Sequence, residues 1–174
     1  MTLESPPPPE TLGQLARQIG RLWVAYIKGQ LVYSLIMGLL TWVVGAAIGL
    51  RYALPLGMLA GILETVPGIG AILAAIPAAA VALWQGSSVI PVENWVFALI
   101  VAGAYIVLQQ LGEFLIKPRV FGHELHLHPL VVLAAIIIGA LVANVVGAYL
   151  AVPLLVTVRE IVRYVRYRLG PENR

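Results

Sequence analysis

Charge is missing from this sequence in long runs. Lys28 and Arg51 bracket 22 uncharged residues, Thr65 to Val92 gives 28 more, Asn94 to Gly112 gives 19, and Leu125 to Val158 gives 34 with only two His among them. A hydrocarbon core of about 30 Å needs roughly 20 apolar helical residues, so these runs are of membrane-crossing length. Only 11% of the chain is charged and 60% is hydrophobic, whereas a soluble domain carries about 25% charged residues. An ordinary soluble enzyme and a disordered tail are both excluded. The expected fold class is all-α, a polytopic helical membrane protein.

The ends of the chain set its topology. Pro6 to Pro9 block a helix and no apolar stretch follows the start, so 1–10 reads as a Pro-rich tail and not a cleavable signal. Thr11-Leu12-Gly13-Gln14 has capping-box spacing. Leu12, Leu15, Ile19, Leu22, Trp23 and Tyr26 then fall on one helical stripe, with Arg17, Arg21 and Lys28 off it. Residues 11–29 read as an amphipathic helix in the headgroup region, the alternative being a helix packed on its own protein or a partner. At the other end, 159–168 carries Arg159, Arg163, Arg166 and Arg168 with Tyr164 and Tyr167, and 169–174 is a tail. Basic clusters beside spans mark the cytoplasmic side, so both termini are expected there, with an even number of crossings.

Within the transmembrane region, 30–168, the chain repeats itself. Pro55-Leu56-Gly57-Met58-Leu59-Ala60-Gly61 resembles Pro129-Leu130-Val131-Val132-Leu133-Ala134-Ala135, and the stretch Gly70 to Pro77 resembles Gly147 to Pro153. Each copy follows a clear span, 30–50 or 94–116, which gives repeat units of about 30–86 and 94–158. In the first, arms 53–66 and 70–85 flank Val66-Pro67-Gly68-Ile69-Gly70, where Pro67 removes a donor and Gly68 and Gly70 ease a tight turn. Arms of about 14 to 16 residues make roughly 21 to 24 Å of helix, which suits a broken or re-entrant hairpin. In the second, the turn candidate is Ala143 to Gly147, with no Pro. Inverted repeats with interrupted helices recur in secondary transporters. Two such units make two crossings, and full-length arms would make six, so the even count does not choose between them.

Glu64 stands three residues before Pro67 with apolar sequence on both sides. An ionisable group at membrane depth is expensive and by default marks a substrate, ion or proton route. An acid in an exposed interfacial loop is the alternative. Gln109 and Glu113 share a helix face at i, i+4, with Gln110 beside them, and Glu113 is also placed to pair with Lys117. Asn144 can supply a polar contact at the second turn or cap a half-helix. Tyr33 and Tyr105 can line a cavity or pack as aromatics.

His123, Glu124, His126 and His128 sit between Pro118 and Pro129, so they read as a loop, and a helical H-x-E-x-x-H is absent. With neither Asp nor Cys in the chain, no Ser/His/Asp arrangement or thiolate site can be built. No enzyme, metal, cofactor or nucleic-acid function is expected. The partners expected are the bilayer, a small polar solute or monovalent cation, and further copies of the chain.

The motifs Leu63-Glu64-Thr65-Val66-Pro67-Gly68-Ile69-Gly70, Gln109-Gln110-Leu111-Gly112-Glu113, Lys117-Pro118-Arg119-Val120-Phe121-Gly122 and Leu127-His128-Pro129-Leu130, then Gly147 to Pro153, come in an order that resembles the autoinducer-2 exporter family of PerM-type permeases. The resemblance runs from Gly29 to Arg163 and corresponds to the C-terminal half of family members. It implies a multi-pass bacterial inner-membrane protein, oligomeric, that exports autoinducer-2 or exchanges sodium or lithium for protons. Glu64 with Pro67 and Gly70, and Glu113 with Pro118, match its most distinctive blocks. A non-transporting scaffold or subunit is the other function class, with Gly57-x-x-x-Gly61, Gly45-x-x-x-Gly49 and Gly139, Ala143 and Gly147 as packing faces in an oligomer.

Overall fold

The computed structural model describes residues 11–66, 70–121 and 129–169. Pro67, Gly68, the His123 to His128 loop and both tails beyond these bounds lie outside the described residues. The helices in order are α1 (Leu12–Ala47), α2 (Ala53–Leu63), α3 (Gly70–Gln85), α4 (Asn94–Leu111), a π-helical turn (Gly112–Ile116), α5 (Lys117–Phe121) and α6 (Pro129–Leu169). Among the described residues three stretches are long and apolar enough to cross a membrane: Leu12–Ala47, Asn94–Val120 and Leu130–Leu169. The chain is an all-α, polytopic membrane protein.

α1 begins on the expected capping box: the Gln14 amide donates to Thr11 Oγ1 and the Thr11 amide to Gln14 Oε1, both at 3.2 Å. The helix then continues to Ala47 without interruption. The boundary expected near residue 29 is therefore not a break in the backbone, because no Pro lies between 12 and 47 to make one. It does fall where the chain divides into two compact units, one taking residues up to Ile27 and from Leu127 onward, the other Lys28–His126.

In the Lys28–His126 unit, α2 and α3 form a hairpin packed with α4. Ala74, Ala78 and Ala82 recur every fourth residue on α3 and are buried, leaving room for Phe97, Val101 and Tyr105 of α4. With 11 and 16 residues, α2 and α3 measure about 16 and 24 Å, less than a hydrocarbon core. α1 meets α2 backbone to backbone: a Cβ on Gly57 would stand 2.8 Å from the Gly38 carbonyl oxygen, and one on Gly38 would stand 3.1 Å from the Gly61 Cα. Gly57 and Gly61, expected as packing faces between copies, are thus engaged inside this unit. Gly45 likewise packs on Ala53.

In the other unit, α6 is interrupted at Ala143 (φ −138°, ψ 28°) and Asn144 (φ 52°, ψ −137°). The turn expected at 143–147 is made without proline because Asn tolerates a positive φ. The arms 129–142 and 145–169 fold back so closely that Gly139 and Gly147 each face the other's carbonyl, where a Cβ would collide. The apolar stripe of α1 meets the second arm of α6. Leu15 and Tyr26 are buried, Gln18 Nε2 donates to Glu160 Oε2 at 3.1 Å, and Trp23 Nε1 donates to Thr157 Oγ1 at 2.9 Å.

Candidate functional site

The site is assembled where α2 ends. Glu64 is its C-cap (φ −65°, ψ −12°), with its amide bonded to the Ala60 carbonyl at 2.8 Å. The next residues turn tightly: the Val66 amide donates to Leu63 O at 3.0 Å, and Thr65 Oγ1 donates to Ile62 O at 2.6 Å. α3 restarts at Gly70, where a Cβ would collide with the Leu63 carbonyl and the Glu64 backbone. Glycine is required there by that close approach. The Glu64 carbonyl accepts 2.7 Å from Gln30 Nε2 of α1, and both residues are buried, Glu64 to 4% exposure. A helix end buried in this way needs such a partner, because four terminal carbonyls lack helical donors. Sequence placed Glu64 in either a buried site or an exposed loop. The fold buries it.

The carboxyl faces a narrow pocket about the size of one water molecule. Four helices line it: Met37 and Thr41 from α1, Ala60 and Glu64 from α2, Ala71 and Ala74 from α3, and Tyr105, Leu108 and Gln109 from α4. Tyr33, fully buried on α1, also stands beside the Glu64 carboxyl. The Tyr105 hydroxyl, Gln109 Oε1 and Ser34 Oγ are buried without a hydrogen-bond partner among the described residues. Orphaned buried polar atoms are uncommon in native folds and call for water or an ion. Here two of them, on Tyr105 and Gln109, line the pocket that also holds the acid.

Beyond the pocket, the course of the chain after α4 is set by Pro118. It has no amide hydrogen, and its ring clashes with the carbonyl four residues back. The helix responds by widening: the Lys117 amide reaches back five residues to the Gly112 carbonyl. Such π turns concentrate at functional sites. Gln109 Nε2 donates to Glu113 Oε1 at 3.1 Å, and the same oxygen is ion-paired with Lys117 Nζ. The ammonium also lies 5.1 Å from the centroid of the Tyr33 ring. Gly112 permits this arrangement, since a Cβ there would sit 2.6 Å from the Tyr33 hydroxyl.

The fold therefore brings together Glu64, Gln109 and Glu113 of the residues selected from sequence, with Gly70 shaping the turn. Gln110 points outward and is exposed. Asn144 and Gly147 belong to the other unit, where Asn144 is exposed and holds the break in α6. Gln30, Ser34 and Thr41 were missed by sequence reasoning. They are polar residues in an uncharged run, on the face that also carries Tyr33 and Met37. Glu160, buried at 2% exposure beside Gln18, Arg159 and Arg163, was missed because it sits inside a basic cluster.

The sequence profile of the AI-2E family transporter matches residues 5–167. The chain belongs to the AI-2E transporter family. Among curated relatives, it is 33% identical over 134 residues to the AI-2 transport protein TqsA of Escherichia coli, covering 77% of this chain and 37% of that protein. It is 31% identical over 128 residues to the putative transport protein YrrI of Bacillus subtilis, covering 74% of this chain and 34% of that protein. It is 30% identical over 151 residues to the putative permease PerM of Escherichia coli, covering 86% and 41%. The matched stretch is thus a third to two-fifths of each relative's own length. The buried cluster around Glu64 lies within the matched stretch.

Proposed function

We propose that this chain forms the translocation site of an AI-2E permease, in which a small polar solute, autoinducer-2 being the first candidate, or a monovalent cation moves past Glu64. The observation that carries this reading is a carboxyl buried at an interrupted helix, facing a pocket whose Tyr105 and Gln109 polar atoms are unsatisfied. A pocket the size of one water molecule fits a cation or a proton-carrying water more readily than an organic solute. Coupling to sodium or protons at Glu64 would then drive a larger path that opens elsewhere in the cycle. In this reading the α2–α3 pair is a re-entrant hairpin. Its arms are shorter than the bilayer core, and non-helical backbone at membrane depth is tolerated only against protein or water. The protein sits in the bacterial inner membrane as an oligomer, with both ends of the chain cytoplasmic, and no enzymatic step is involved.

A second reading is favoured by the matched length: the chain is a subunit or scaffold that needs another part to transport. Reconstitution into proteoliposomes separates the two. Efflux of loaded autoinducer-2, or sodium-driven proton movement read by an internal pH dye, above that of protein-free vesicles supports the permease. Absence of both in well-folded protein supports the subunit.

A further inference from the structure

Lys117 is near enough to the buried acid for its positive charge to act on Glu64, although its ammonium makes its contacts elsewhere. Its ammonium pairs with Glu113, one helical turn back on the same segment, and hovers over the Tyr33 ring at 5.1 Å. The other edge of that ring carries the hydroxyl that stands beside the Glu64 carboxyl. The ring therefore bridges the two acids, with the lysine on its face. Gln109 completes the link, since its amide donates to Glu113 and the residue also lines the pocket with Glu64. Among the described residues, the charged and titratable groups facing Glu64 are Lys117 and Glu113 from the segment after α4, Tyr105 from α4 and Tyr33 from α1.

We propose that Lys117 is a tethered counter-ion that pairs with Glu113 while Glu64 holds its proton or cation, and transfers to Glu64 when that carboxyl is emptied. This rests on Glu64 being the exchangeable acid of the site. The physical need is clear: a bare carboxylate in a small, largely apolar pocket is costly unless a positive charge comes to it. A lysine suits the task because its ammonium is a compact charge on a flexible four-carbon stem, and the face of Tyr33 supplies a favourable stopping place between the two carboxylates. The π turn ahead of Pro118 fixes where the stem starts. Glu113 then acts as the parking site, and Lys117 as a positioning residue whose movement lets Glu64 release its cargo.

The test follows the protonated Glu64 carboxyl directly, without reference to flux. Dicyclohexylcarbodiimide modifies protonated carboxyls in apolar surroundings, and mass spectrometry of the purified full chain in liposomes gives the rate at Glu64, with Glu64→Gln as the blank. Lys117→Met strands the emptied carboxylate, so Glu64 keeps its proton and is labelled faster. Glu113→Gln removes the parking site, so Lys117 stays on Glu64 and labelling slows. The two variants should differ by at least about tenfold, a lower bound for one close charge in a partly buried setting, with wild type between them. Lys117→Arg should label like wild type. Equal rates in Lys117→Met and Glu113→Gln, or no labelling of Glu64 in any variant, overturn the counter-ion. Neither result bears on whether Glu64→Gln abolishes flux, so the parent reading stands or falls separately. Glu113→Gln leaves Lys117 its contact with Tyr33, so if Lys117→Met proves unstable Glu113→Gln is compared with wild type, and equal labelling of those two overturns the counter-ion.

Discussion

Glu64→Gln lowers transport in proteoliposomes by roughly ten- to a hundred-fold, the factor that follows from losing a charge-assisted contact of about 1.5–3 kcal/mol at the site. The substitution is close to isosteric and leaves the main-chain anchors of residue 64 in place. Its amide still reaches Ala60, and its carbonyl still accepts from Gln30. Thermal unfolding in detergent should therefore stay near that of wild type. The loss then belongs to the missing ionisable group and not to the fold. Undiminished flux in Glu64→Gln would remove the acid from the mechanism while leaving family membership untouched.

Gly57→Ala is expected to be the most damaging small substitution in the Lys28–His126 unit. Its Cβ would lie 2.6 Å from the Trp42 Cβ, 2.8 Å from the Gly38 carbonyl oxygen and 2.8 Å from the Trp42 amide nitrogen. These are backbone or backbone-proximal atoms of α1, so no flexible side chain can yield and the two helices must move apart. Overpacking of this kind costs about 1–3 kcal/mol, which is large against the marginal stability of any domain. The control is Gly103→Ala on α4, where nothing lies within 4 Å of the added methyl. That change should be neutral or stabilising by about 0.5–1 kcal/mol. Melting curves of the two variants in one detergent give the comparison, and equal melting temperatures would contradict the close α1–α2 contact.

The contrast between these glycines also shows where the sequence was readable. Uncharged run lengths announced helices of membrane-crossing length. The pairs Pro55–Pro77 and Pro129–Pro153 pointed to two interrupted elements, and the fold has one break between α2 and α3 and one inside α6. Glu64 was legible because an isolated acid in an apolar run has few structural explanations. Its partners were less so. Gln30, Ser34 and Thr41 are common in membrane helices, and only the fold shows them on the face that meets α2. Gln110 sits next to Gln109 in sequence yet about a hundred degrees around the helix, which is enough to expose it. Asn144 had the right chemistry for a broken helix but serves the other unit. The small-residue faces were read as contacts between copies because spacing alone does not say which helix will fill them. Gly38, Gly57 and Gly61 find one another within the chain.

The proposed site requires that Glu64 and Ala71 border a watered pocket and not lipid. The chain has no cysteine, so a single introduced thiol reports its own surroundings. Ala71 lines the pocket beside Glu64, and its neighbour Ile72 is 65% exposed on the outer face of α3. In intact vesicles silver ion, a thiol-reactive cation small enough for a pocket the size of one water molecule, should react with Ala71→Cys from one side and leave Ile72→Cys unreacted. Labelling of Ile72→Cys with Ala71→Cys protected would place water on the wrong face of the helix and contradict the site.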